Sequence, residues 1–172
     1  LVWIKQTQLN PKIKINSIYI AGYASPDGVE DKNSNLSIER TKSARASLIS
    51  IMKKEKIAGF TDTANYQLQG KGEDFEGFKE QLSLTSTIAE ADKNLFIRIL
   101  EMSKDPIQRE TEMINLGKSY TELEKEVFPK IRRANILINY TENGLTDEEI
   151  MQATTNNPSI LGVEELLYAA QN

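Results

Sequence analysis

Gly22-Tyr23-Ala24-Ser25-Pro26-Asp27-Gly28-Val29-Glu30-Asp31-Lys32-Asn33-Ser34-Asn35-Leu36-Ser37-Ile38-Glu39-Arg40 is the stretch on which the fold turns. An apolar run, Ile18-Tyr19-Ile20-Ala21, leads into it. A Gly/Pro/Asp/Asn segment fills its middle, and a helical pattern carrying a basic residue closes it. Strand, polar loop and helix N-terminus, in that order, build a site for a small anionic group, because the first backbone N–H groups of a helix are unpaired and face the loop. Gly22 and Gly28 tolerate positive φ, and Pro26 fixes its own.

Working outward, Lys12 to Ala21 reads as a strand after a break at Pro11. Ile13 and Ile15 alternate with Lys12, Lys14 and Asn16, and the alternation blurs at Ser17-Ile18-Tyr19-Ile20, as a bulge or two-sided burial would make it. Before it, Val2, Trp3 and Ile4 are apolar enough to pack on the domain. On the other side, Leu36 to about Lys54 reads as a helix with Ile38, Thr41, Ala44, Leu48 and Ile51 on one stripe, Ser34 or Asn35 as its cap and Gly59 as its stop. Ala64 to Gly70 reads as a second strand. Tyr66 and Leu68 take one face and Asn65, Gln67 and Gln69 the other, which predicts a sheet covered by helices on one side only.

Gly70-Lys71-Gly72-Glu73-Asp74 then turns the chain, and Asp74 caps a short helix to about Leu84. Thr87 to Met102 forms another helix, with Ile88, Ala91, Leu95, Ile99 and Met102 on one face. Asp105-Pro106 opens a third, to Gly117, as an N-cap followed by proline at the first helical position. A further turn reaches Val127, and Ile131 to Tyr140 alternates as the last strand. Thr146-Asp147-Glu148-Glu149 is a capping box, and Val163, Leu166, Leu167 and Ala170 stand at i, i+3, i+4, i+7 on a final helix. The apolar face of that helix needs a partner, either the domain itself or a helical array of tetratricopeptide type.

Composition removes several classes of function. The chain has 172 residues, 39% hydrophobic and 27% charged, a globular balance with room for one domain and a tail. A net charge of −4 without a basic stripe argues against nucleic acid. Zero cysteine and zero histidine remove disulfides, thiol nucleophiles, Ser-His catalysis and thiolate or imidazole zinc sites, so no cofactor and no metal is expected. No apolar run approaches the ~20 residues a membrane span needs. The chain opens at Leu1 without a signal peptide, and both ends read as cut from a longer protein.

Asn33-x-x-Leu36-Ser37-x-x-Arg40, after a strand ending Gly22-Tyr23-Ala24-Ser25, resembles the peptidoglycan-binding domain at the C-terminus of OmpA-type outer-membrane proteins. The Gly70-x-Gly72-Glu73 turn and the Arg132-Arg133 pair before the last strand match the same pattern, although position 131 is Ile where the family has Asn. The resemblance covers about Ile13 to Tyr140, with an unmatched middle. It implies an α/β fold, an α+β sandwich with a mixed sheet of three to four strands and helices on one face. An OmpA-like domain is expected over residues 1–142, with a helical insertion at about 85–127, and a C-terminal helical extension over 143–172.

In that family a loop Asp and a helix Arg clamp the ammonium and carboxylate of the diaminopimelate in the cell-wall peptide. Arg40 matches the Arg, an apt fork for a carboxylate. The residue fifteen before it, where the family has Asp, is Ser25, which can accept a hydrogen bond but adds no charge. Asp27 either takes over the missing charge or is an ordinary turn residue in Pro26-Asp27-Gly28. Asn33 is expected to brace the loop, and Arg133 is either a ligand contact or a solvated strand end. The resemblance implies a noncatalytic periplasmic module that tethers an outer-membrane or envelope protein of a Gram-negative bacterium to peptidoglycan. The competing reading keeps the fold without that ligand, as a scaffold meeting envelope proteins through its C-terminal helices. An enzyme is the weakest reading, because Glu73 and Asp74 are adjacent in a turn and point apart.

Overall fold

Strand β1, Ile13–Ala24, is the centre of a three-stranded sheet of order β2-β1-β3, with β2 at Tyr66–Glu73 and β3 at Ala134–Glu142. The computed structural model of the chain describes residues 2–8, 10, 12–57 and 60–172; the breaks read at Pro11 and Gly59 lie outside them. β1 runs parallel to β2, Ile18 opposite Tyr66 through Gly22 opposite Gly70, and antiparallel to β3, Ile13 opposite Glu142 through Gly22 opposite Ala134. The blurred alternation at Ser17 has its cause in a register shift between Ile15 and Ser17. The fold class is the expected one, an α+β arrangement of helices around a mixed sheet.

Helix α2, Glu30–Lys54, joins β1 to β2 and begins six residues before the expected Leu36. Its first turns are the polar run Glu30 to Asn35, which carries no apolar period and therefore reads as loop. Ser34 and Asn35 lie inside the helix, and the capping position is Val29, which offers no side-chain bond. Glu30 and Asp31 complement the dipole there, and Lys53 and Lys54 do so at the far end.

The buried face of α2 also differs from the expected stripe: it is Asn33, Ser37, Thr41, Leu48 and Met52, while Ile38 and Ile51 are about two-fifths exposed. The reason is the closeness of the helix to the sheet. A Cβ at Gly22 would stand 2.1 Å from the Ser37 carbonyl oxygen, and one at Gly70 would stand 2.6 Å from Ser37 Oγ. Backbone meets backbone at that crossing, so small residues face inward and the isoleucines turn aside. Further along, the helix lifts enough for Leu48 and Met52 to pack on Ile18, Ile20, Tyr66 and Ile4. Ile4 belongs to the short helix α1, Val2–Gln8, whose Trp3 ring lies 5.2 Å from that of Tyr140 on β3.

Between β2 and β3 the ordered elements are all helical: α3 Phe75–Leu84, α4 Glu90–Met102, α5 Pro106–Ile114, α6 Lys118–Glu122, a π turn Leu123–Val127 and α7 Phe128–Ile131. Asp74 caps α3 through the Gly77 N–H, and Asp105 caps α5 with Pro106 at its first position, both as expected. These helices enclose a core of their own, with Phe78, Leu82, Phe96, Met113, Leu123, Val127, Phe128 and Ile131 fully buried. Ile131 therefore ends a helix, and the last strand starts three residues later than expected. In α4 the buried positions are Lys93 and Phe96, whereas Leu95 and Met102, expected inside, are exposed.

Beyond β3, helices α8, Asp147–Asn156, and α9, Val163–Gln171, pair around Ile150, Ala153 and Leu161. Thr146 and Glu149 form the capping box expected of α8. Val163, Leu166 and Leu167 of α9 remain exposed.

Candidate functional site

The carboxyl ends of the parallel strands β1 and β2 and the start of the antiparallel β3 lie at one edge of the sheet. In open α/β sheets, ligands settle outside the carboxyl ends of parallel strands, where the helix that follows turns away. Three segments meet there: the loop Ser25 to Val29, the end of β2 at Glu73 with Asp74, and the Arg132-Arg133 link into β3.

Ser25 is buried, at 4% exposure, and its Oγ accepts from Arg132 Nε at 2.9 Å. The same guanidinium reaches Asp27, with Nη2 at 3.0 Å from Oδ2, and lies over the Phe128 ring. Asp27 Oδ1 is buried with no hydrogen-bond partner among the described residues. Gly28, at φ +85°, closes the turn. Asn33 braces the loop as expected: its Nδ2 donates to the Asp27 carbonyl and to Glu73 Oε1, each at 2.8 Å. Glu73 in turn forms a buried ion pair with Arg109 of α5. Such a pair is costly to break on one side, about 3–5 kcal/mol, because the remaining charge is stranded.

Arg40 sits on α2 and donates from Nη1 to the Tyr23 carbonyl oxygen at 2.9 Å. No carboxylate of the described residues comes within ion-pair distance of it. Its pKa is pushed down first by burial and second by the neighbouring Arg132, with Asp27 pulling the other way. Both guanidiniums feel Asp27, which is ion-paired with Arg132 alone. Arg133 points elsewhere: its Nη2 lies 2.8 Å from Asp74 Oδ2, off the line of a hydrogen bond, and its guanidinium covers the Tyr23 ring.

The helical segment closes over this edge. Tyr120 of α6 packs edge-on against Phe128, and its hydroxyl pKa is pushed from 10.0 up to about 12, by burial first and then by Glu124, Asp27 and Glu110. The charge of Asp27 is therefore felt on an element that the strand and loop motifs do not mention.

Ser25 and Asp27 meet on Arg132, Asn33 holds the Asp27 carbonyl, Arg40 holds the Tyr23 carbonyl two residues before Ser25, and Arg133 stands apart on Asp74. Arg132, read only as half of a basic pair, is the residue that ties the loop to β3. Arg109 gave no signal at all, since a charged residue on an amphipathic helix reads as solvated. Among the described residues no group of three or more acidic side chains gathers to hold a metal ion, and no helix is long and apolar enough to cross a membrane.

Fold and edge together define an α+β domain with a cluster of charged side chains at the carboxyl end of its parallel strands. Compared with known protein families, with curated proteins and with solved structures, the chain matches none.

Proposed function

We propose that the chain is a noncatalytic OmpA-like module of the periplasm, which tethers an outer-membrane or envelope protein to peptidoglycan by gripping a carboxylate of the peptide stem with Arg40. One observation carries this reading. Arg40 is directed at the carboxyl edge of the sheet, holds only a backbone carbonyl, and lacks a carboxylate partner among the described residues. A guanidinium with half its fork uncommitted, partly removed from water, is suited to a ligand carboxylate.

The test is co-sedimentation with purified peptidoglycan. Native domain should bind, more weakly as salt rises, because partly exposed charges are screened. Arg40→Ala should weaken binding by about tenfold or more, the loss of a charge-assisted bond of about 1.5–3 kcal/mol. Binding that ignores both salt and Arg40→Ala would sink the proposal.

A second reading has its own observation. Ser25 and Asp27, the groups closest to the family's ammonium acceptor, are both held by Arg132. A fold that has internalised its site is suited to a scaffold, and absence of peptidoglycan binding in the native chain would favour that reading.

A further inference from the structure

We infer that Arg132 is the specificity-determining residue of this edge: it occupies the cation-accepting half of the loop, so the ligand taken by Arg40 is a carboxylate read without a neighbouring ammonium. This rests on the reading of Arg40 as the carboxylate grip.

The geometry that supports it is internal substitution. A ligand ammonium needs acceptors at the loop, and the two side chains that offer them are Ser25 Oγ and Asp27 Oδ2. Arg132 takes both, Nε to the first at 2.9 Å and Nη2 to the second at 3.0 Å. Its position is fixed from two sides, by the Phe128 ring beneath it and by its place in the two-residue link between α7 and β3. Like charge finishes the argument. A ligand ammonium entering beside Arg40 would meet a second guanidinium, and Asp27 is one carboxylate against two cations. An anion meets the opposite situation, with two cations and only one competing carboxylate. This charge cluster therefore disfavours a zwitterion and favours an anion. Removing Arg132 frees Ser25 Oγ and Asp27 Oδ2, beside an Oδ1 that is buried and already lacks a donor.

The experiment compares two probes by calorimetric titration: diaminopimelate, and its form acetylated on both amines, which keeps the carboxylates and loses the ammonium charges. The native chain should bind the two within about threefold of each other, since no group reads the amine. Arg132→Gln frees Ser25 and Asp27 and should prefer the free amine by about tenfold or more. A native chain that already prefers free diaminopimelate by about tenfold overturns the inference without any variant being made. So does a folded Arg132→Gln with an unchanged ratio, in which case the Arg40 reading stands alone. If neither probe binds native chain or variant, the Arg40 reading falls and this one falls with it.

Discussion

At the scale of single residues, the exchange at position 25 is the most informative. Replacing Ser25 by Asp restores the charge found in the resembled family, and from the sequence alone it should create an ammonium site. The structure changes that expectation. Ser25 is buried and within 2.9 Å of Arg132, so a carboxylate placed there pairs with Arg132 rather than with a ligand. Ser25→Asp alone should leave the affinity for diaminopimelate within about twofold of native, whereas Ser25→Asp combined with Arg132→Gln should raise it by about tenfold, a coupling visible in a double-mutant cycle. A gain from the single exchange would show that Arg132 yields its place easily.

At the scale of elements, the crossing of α2 over the sheet decides the geometry of the edge. Ser37 donates to the Ser34 carbonyl and accepts from the Gly72 N–H, so one hydroxyl ties the helix to the end of β2. Gly22→Ala pushes a methyl into the Ser37 carbonyl, a backbone atom that cannot swing away. Overpacking of this kind costs about 1–3 kcal/mol, and the denaturant midpoint should fall accordingly. The same crossing shows what a linear sequence can disclose. The three strands and the caps at Asp74, Asp105 and Thr146 were legible because turn chemistry and capping are local, whereas the start of α2 after Val29, with no side-chain cap, was not. The inward face of α2 was not, because periodicity weighs apolar side chains, and here proximity to glycine selects Asn33, Ser37 and Thr41 instead. Nor was the place of Tyr120 against Phe128, since it is set by the packing of a separate helical core.

At the scale of the whole molecule, buried apolar residues among those described form three clusters, in the sheet, in the helices between β2 and β3, and in the α8–α9 pair. The first two are joined through the buried Glu73–Arg109 pair. The last is fastened to β1 by Lys12, which forms an ion pair with Glu165 of α9. Lys12 holds the Glu165 carboxyl below the ordinary 4.5, with help from the Gly162 N–H. A depressed carboxyl contributes stability that is present above its ordinary value and is lost as pH falls through the lowered one. Acidification below pH about 4.5 should therefore loosen α9 before the sheet, read as faster amide exchange over Val163–Gln171 than over β1. Equal loosening of both would mean that the pair fastens nothing.

The antiparallel pairing of β1 with β3 also has a mechanical side. Ile13 faces Glu142 at one end of the ladder and Gly22 faces Ala134 at the other, next to Arg40 and Arg132. A load applied between Lys12 and Asn143 pulls on one end of two adjacent strands and opens their bonds one at a time, like a zip. A load applied between Arg40 and Asn143 runs along the strands and strains the ladder bonds together, in shear. The domain is thus a directional fastener, firm against tension that enters at the Arg40 end of the ladder and yielding to tension that enters at the opposite end.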